Sequence, residues 1–410
     1  MRATRLRHAP KAAIISERGG RSRPVGPAGG GTRLGPLLCL RPAFATDALN
    51  RKLAIPAVLL ALLLLPAAAA AQVPPGFVGI SPQSASNETD FELMEAAGLR
   101  SVRLPLYWRG VEPHSPYFSE PDWSDFDRSV RLAAEHGMRV FPFVWGSPAW
   151  VAAEPRTEPV YHDWAKRAWA SFLRRAVQRY GPYGSFWWDN PDLPLMPIRA
   201  WEIWNEPNII TFASNSNPER FAGLLRISGR AIHNADRGAR VILGGLFGRP
   251  LQIPPNVSSG DFLNRIYRAR HVKQFFDGVA LHPYVADADA MRPQIRNLRR
   301  VMQVHHDAAT PIYVTELGWG SDSFQTRWER GLLGQARELD QAFSMLANHR
   351  RSWRIGGVWW FSWTDISGGC QFCDSAGLLT EQREAKPAWY SFTAWTGGNP
   401  DIVPRASLDR

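Results

Sequence analysis

Eight short runs rich in β-branched and aromatic residues recur along this chain, each separated from the next by enough residues for a crossover helix, and this alternation constrains the fold more than any other feature. The runs are Phe77–Gln83, Ser101–Trp108, Arg139–Gly146, Ala200–Asn208, Arg240–Leu246, Gly278–Tyr284, Pro311–Trp319 and Gly357–Asp365. Between them the apolar period lengthens. Trp164, Ala168, Phe172, Ala176 and Tyr180 recur every four residues, which predicts an amphipathic helix with Asp163 as N-cap and Gly181 just past its end. Ser124 is placed to cap a helix carrying Phe126 and Val130, and Leu332, Ala336, Leu339 and Phe343 mark another. Eight βα units predict an α/β fold closed as a (β/α)8 TIM barrel, since closure satisfies both sheet edges. No glycine-rich phosphate loop follows the first run, where Gln83–Asn87 stands instead, so a dinucleotide-binding fold is not expected.

The formal charge of +11 does not point to nucleic acid, because it is concentrated at one end. Residues 1–52 hold 11 Lys and Arg against Glu17 and Asp47, a balance of 11 − 2 = +9 that leaves about +2 for the rest. Arg51 and Lys52 precede the apolar run Leu53–Pro66 and the small-residue stretch Ala67–Ala71, the order of a secretory signal. The reading is therefore 1–50 as a basic leader or a mis-assigned start, 51–71 as a signal peptide, and 72–410 as one catalytic-size domain, secreted or periplasmic. Pro66 and the alanines favour cleavage over an uncleaved anchor. A cleaved chain carries no stable membrane span, and a monomer is expected. Of three cysteines, Cys39 falls in the leader, leaving Cys370 and Cys373 to form a local disulfide in an oxidising compartment; zinc would need further ligands that are not nearby in sequence. No cofactor or metal is expected.

In a barrel of this kind the chemistry lies at the C-terminal ends of the strands. Two ends carry a glutamate in a distinctive setting: Trp204-Asn205-Glu206-Pro207 after run four and Thr315-Glu316-Leu317-Gly318-Trp319 after run seven. A glycosidic bond breaks through an oxocarbenium-like transition state, which calls for one carboxylic acid to protonate the leaving oxygen and one carboxylate at the anomeric carbon. Strands four and seven face each other across the mouth, so Glu206 and Glu316 can share one cleft. Glu202, four residues before Glu206, is expected inside the barrel, paired with a basic group.

These segments resemble those of retaining β-glycosidases of glycoside hydrolase clan A, family 39 first and family 5 next. The resemblance extends to Val102-Arg103-Leu104-Pro105 on strand two, His282-Pro283-Tyr284 on strand six and Trp363 on strand eight. It implies Glu206 as acid/base, Glu316 as nucleophile kept ionised by Arg103 and Tyr284, Asn205 on the sugar 2-hydroxyl, His282 in the substrate site and Trp363 as the sugar platform. The substrate would be an oligo- or polysaccharide, hydrolysed by double displacement. A transglycosylase would use the same residues, and a non-catalytic glycan-binding protein would usually have lost a carboxylate that is kept here.

Eighteen tryptophans leave several candidates for further subsites. Trp145, Trp150, Trp319 and Trp328 follow strands and are candidates, Trp150 and Trp319 foremost, against an equal expectation that they are buried. Phe186, Trp187 and Trp188 precede strand four and are read as packing. The Gly-rich segment around Cys370 and Cys373 follows strand eight and is expected to wall one side of the groove.

Overall fold

The computed structural model describes residues 73–406 apart from 84, 85, 251, 252, 324, 325 and 371. The expected leader and signal stretch, with Cys39 and Gln72, lie outside the described residues. No helix among the described residues is long and apolar enough to cross a membrane.

Eight parallel strands close into a barrel in sequence order: β1 Val78–Ile80, β2 Ser101–Tyr107, β3 Arg139–Trp145, β4 Ala200–Asn205, β5 Arg240–Phe247, β6 Gly278–His282, β7 Ile312–Leu317 and β8 Ile355–Trp360. The ring is sealed where Val78, Gly79 and Ile80 pair with Val358, Trp359 and Trp360. Each strand falls inside or beside its predicted run. The largest difference is at β8, which begins two residues early and leaves the sheet after Trp360, well before Asp365.

Among the described residues eight longer helices cover the barrel, besides the short helical turns Trp108–Val111 and Ser185–Asp189: α1 Glu88–Ala96, α2 Ser124–Glu135, α3 Asp163–Tyr180, α4 Pro218–Ala235, α5 Ser259–Tyr267, α6 Met291–Val304, α7 Gly331–Asn348 and α8 Pro387–Thr396. Their cap signals are partly shifted from those read in the sequence. Helix α3 starts at Asp163 with His162 as N-cap, and it buries Ala165, Trp169, Phe172, Leu173, Ala176, Val177 and Tyr180 while Trp164 is exposed. Ser124 is the first residue of α2 and donates its backbone N–H to Asp122. Helix α1 has a capping box that the sequence reading did not pick out, Asn87 and Asp90 each accepting through the side chain from the other's backbone N–H.

Inside the barrel two layers follow the period-two alternation of side chains along each strand. At the N-terminal ends Phe141, Ile242, Ala280, Tyr313 and Trp359 pack as an apolar plug. Two residues further along the same strand faces, Thr315 follows Tyr313 and His282 follows Ala280, and the filling becomes polar. The site rests on this floor.

Candidate active site

The polar layer is organised by Arg103 of β2, which is fully buried and uses its guanidinium on both sides. Nε lies 2.8 Å from Glu202 Oε2 and Nη2 3.1 Å from Glu202 Oε1, a two-point pairing. Nη1 lies 2.7 Å from Glu316 Oε1, and Nη2 also donates to Asn205 Oδ1 at 2.9 Å. The guanidinium carbon sits 4.0 Å from the centre of the Phe143 ring. Burial works against the charge of Arg103, but Glu202 and Glu316 more than offset it, and its pKa is raised. The expected basic partner of Glu202 is thus Arg103. With all its donors engaged, Arg103 positions carboxylates and does not itself reach for a sugar.

Glu206 follows the end of β4, where the backbone is unusual. Trp204 and Glu206 both have positive φ, 72° and 40°, a region that L side chains with a Cβ rarely occupy. Such conformations cost about 1–3 kcal/mol each and persist where the surroundings fix them. Here Trp204 is fully buried with its Nε1 donating to the Phe212 carbonyl at 2.7 Å, and the Glu206 N–H is held by the Gly245 carbonyl at 3.0 Å. The neighbouring strand allows this approach because it carries glycine. A Cβ on Gly245 would lie 1.9 Å from His282 Nε2, and one on Gly244 would lie 2.3 Å from the Ile203 carbonyl.

The two carboxylates meet as the sequence led one to expect. Glu206, His282 and Glu316 each present an atom, all within 4.8 Å of one another. Their hydrogen-bond partners differ. Glu316 accepts from Arg103 and from the Tyr284 hydroxyl at 2.8 Å, whereas Glu206 contacts His282 Nδ1 at 2.8 Å. Burial pushes both carboxyls up, and for Glu206 the charge of Glu316 adds to the effect. Two donors favour the ionised form of Glu316, so Glu206 is the member of the pair that keeps its proton. Burial and the adjoining carboxylates raise the Tyr284 phenol far above its usual range, which keeps it a donor.

His282 fixes where that proton sits. Its Nε2 is 3.0 Å from Thr315 Oγ1, and Thr315 Oγ1 in turn points its hydroxyl at Glu202 Oε1, 3.4 Å away. Thr315 then receives the Nε2 proton, leaving the Nδ1 lone pair to accept from protonated Glu206. Burial lowers the His282 pKa, consistent with the neutral ring. His282 is fully buried, so it orients Glu206 and leaves substrate contact to others. Asn205 uses Oδ1 on Arg103, and its amide nitrogen bonds to no protein acceptor among the described residues.

The tryptophans part company with expectation. Trp363 is not a platform at the cleavage site: it is 2 % exposed, donates to Asp90 at 3.1 Å and packs edge-on against Trp389 of α8. The chain turns out of the sheet after Trp360, which carries Trp363 into the helical layer. Phe361, the first residue after β8, lies beside Tyr284 instead, half-buried with its ring 6.2 Å away. Trp319 is likewise removed, fully buried with its Nε1 on the Val285 carbonyl and its ring against Trp360. Trp150 is half-buried, its Nε1 tied to the Glu112 carbonyl at 2.9 Å and its ring edge-on to Trp108, so it braces the β3–α3 loop. Trp188, read as packing, is 78 % exposed.

Cys370 and Cys373 form a disulfide, with Cα atoms 4.8 Å apart. It holds Phe372, which packs 5.2 Å from Tyr284 and 5.4 Å from Trp328, while Gln83 ties the Cys373 carbonyl to Ser362. Phe247, Phe361 and Trp328 border this cluster with part of their rings exposed. Sequence reading missed Phe247, Phe361 and Phe372. The signal for Phe361 was its position directly after the last β8 residue, obscured by the heavier Trp363 nearby.

One buried carboxyl lies on the β3–α3 loop. Glu158 is 1 % exposed, neither of its oxygens receives a hydrogen bond from another side chain among the described residues, and burial pushes its pKa up to about 7, with its own backbone N–H and Arg220 offsetting this only in part. A folded-state pKa above the unfolded value means stability is full below the ordinary carboxylate range and falls as pH rises through about 7. Glu158→Gln is therefore expected to stabilise the protein by about 2–3 kcal/mol in mildly alkaline buffer and by little in mild acid. Thermal melts of both proteins across pH check this; an equal gain at both ends would contradict it.

The fold and site define a closed (β/α)8 barrel with paired glutamates at the ends of its fourth and seventh strands. This is the fold of solved glycoside hydrolases of families 39 and 5. A family 39 glycoside hydrolase from the gut symbiont Bacteroides cellulosilyticus WH2 matches with a TM-score of 0.58 at 19% identity, over 79% of this chain and 64% of that one. A monomeric beta-xylosidase from Caulobacter crescentus CB15 matches with a TM-score of 0.56 at 17% identity, over 77% and 67%. A GH5_18 enzyme from Bifidobacterium longum subsp. longum, solved with Manb1-4GlcNAc, matches with a TM-score of 0.54 at 14% identity, over 80% and 79%. The chain spans just under two thirds of the length of the Bacteroides enzyme. No family model and no curated protein matches the sequence.

Proposed function

We propose that this chain is an exported retaining β-glycosidase that hydrolyses O-glycosidic bonds in oligo- or polysaccharides. The observation that carries the reading is the close pair Glu206 and Glu316 with unequal surroundings, one facing a neutral imidazole and the other bonded to a guanidinium and a phenol. One oxygen of each carboxyl lies within 4.8 Å of the other, a close approach that favours the roughly 5–5.5 Å separation of retaining enzymes over the roughly 6.5–9.5 Å of inverting ones.

In the first step the Glu206 proton moves to the glycosidic oxygen as a Glu316 oxygen bonds to the anomeric carbon and the aglycone leaves. Deprotonated Glu206 then takes a proton from water. The water oxygen displaces Glu316 from the same face that the aglycone left, so two inversions give net retention. Asn205, fixed through Oδ1, turns its amide nitrogen toward the 2-hydroxyl, where a hydrogen bond strengthens in the transition state. Tyr284 releases its bond to Glu316 as the carboxylate loses charge. Phe361 supplies the apolar surface under the sugar ring. The signal-like stretch before residue 72 and the Cys370–Cys373 disulfide support export.

Proton NMR during the first turnovers of an aryl β-glycoside tests the pathway. The β-anomer is expected to appear first and to mutarotate later; an α-anomer formed first would overturn the double displacement.

A further inference from the structure

The alternation that puts Phe141 in the apolar plug puts Phe143 and Trp145 on the same inward face of β3, one above the other. On β2 the inward face carries Arg103, then Pro105, then Tyr107, and the register pairs Pro105 with Phe143 and Tyr107 with Trp145. The Arg103 guanidinium lies over the Phe143 ring, so these residues form a wall that rises from the charged hub to the rim. Burial falls along it. Arg103 is buried, Phe143, Tyr107 and Trp145 are half-buried, and Pro105 is exposed although its place in the alternation is inward. An inward residue open to solvent means that the barrel mouth is open along this wall.

Aromatic rings crown the wall. Trp145 lies 5.3 Å from Tyr107, 5.6 Å from Phe212 of the β4–α4 loop and 6.3 Å from Trp204, which stands two residues before Glu206. The chain after Trp145 turns at Gly146 with φ 86°, and a Cβ there would run into the Tyr107 ring, so the glycine is what admits that ring. Trp145 differs from the other tryptophans that follow strands. The indole N–H groups of Trp150, Trp319 and Trp363 are bonded to protein acceptors, and that of Trp328 is buried. The Trp145 N–H and the Tyr107 hydroxyl have no hydrogen-bond partner among the described residues, and neither is shut off from solvent.

We propose that Tyr107, Trp145 and Phe212 bind a second sugar ring of the glycan, next to the ring whose bond is cut. The inference rests on the reading of the cleft as a glycan site and adds that the substrate has at least two rings. A pyranose presents C–H groups on its faces and hydroxyls around its rim. The wall offers the complement of both, aromatic faces together with an N–H and an O–H left free at their edges. Trp145 is two residues beyond Phe143, which touches Arg103, so it stands roughly 7 Å further out along the strand than the level of the hub. That places it beside a neighbouring ring and not beneath the one at the carboxylates.

Binding of the Glu316→Ala protein, in which turnover is suppressed, to arrayed β-linked gluco-, xylo-, manno- and galacto-oligosaccharides of one to six rings tests this. In the series it takes, affinity should rise about tenfold or more between one ring and two or three. Trp145→Ala in the same background should remove that gain, lowering affinity for the longer chains about tenfold and leaving the single ring unchanged. Trp145→Phe should keep part of the gain, and Tyr107→Phe, which removes only a hydroxyl, should lose less than Trp145→Ala. Affinity independent of chain length, full binding in Trp145→Ala, a loss that falls equally on one ring and on six, or no binding to any member of the array would each overturn the proposal. Because binding is read without turnover, a protein that binds in this way but fails to hydrolyse would contradict the double displacement and leave the second subsite standing.

Discussion

Glu316→Ala is expected to lower turnover of an aryl β-glycoside on the order of 10⁴-fold or more, with added azide restoring part of it as the α-glycosyl azide. The loss is this large because the substitution removes the atom that bonds to the anomeric carbon, leaving only binding and proton donation. The cavity left by the side chain admits a small anion, which attacks once from the nucleophile's face and so inverts the centre. Glu206→Ala is the complementary case. Its rate falls most for substrates with poor leaving groups, and azide then traps the glycosyl-enzyme from the opposite face as the β-glycosyl azide. Product anomers assigned by NMR separate the two roles, and exchange of the two outcomes between the variants would reverse the assignment. Undiminished activity in Glu316→Ala would remove the mechanism altogether.

Arg103→Met is expected to cost about 3–5 kcal/mol of stability in addition to the proposed activity, because it strands Glu202 and Glu316 without their shared counter-charge. Glu202 has no exit to solvent, being wholly buried, and its remaining donors are the Gly245 N–H at 2.7 Å and the distant Thr315 hydroxyl. Arg103→Lys keeps the charge but cannot pair in two-point fashion with Glu202 while also reaching Glu316 and Asn205. It should fold, and the acid limb of its kcat/KM profile should move to higher pH, since a weaker counter-charge lets Glu316 hold its proton longer. Urea denaturation and the pH profile together check the expectation. An unchanged midpoint in Arg103→Met would mean the hub is not a structural element.

The barrel was legible because its signal is repeated eight times. A run such as Arg240–Leu246 has few other ways to be satisfied than as a buried strand, and misplacing its end by a residue does not alter the topology. The glutamates were legible for a related reason: they sit at strand ends, where position along the chain fixes position in space. Arg103, His282 and Tyr284 came instead from the resemblance to clan A glycosidases, and burial makes the first two organisers of the carboxylates. Aromatic residues resisted this reasoning. Trp319 and Trp363 lie within three residues of strand ends, yet each is swallowed by the core, and eight tryptophans are among the largest fully buried side chains. A large apolar ring near a cleft has two favourable fates, and which one it meets depends on where the following loop turns. The turn after Trp360 decided it for Phe361 against Trp363.

The reacting groups are mounted on rungs of one continuous ring of hydrogen bonds, whereas Phe372, Trp328 and Trp150 belong to excursions between rungs. The two sets meet at Tyr284, whose hydroxyl bonds Glu316 while its ring carries Phe372. A change in the length of the segment after β8 is therefore expected to reach Glu316 through that one ring, whereas a change in the β3–α3 loop, braced by Trp150 on Glu112, has no such path among the contacts described.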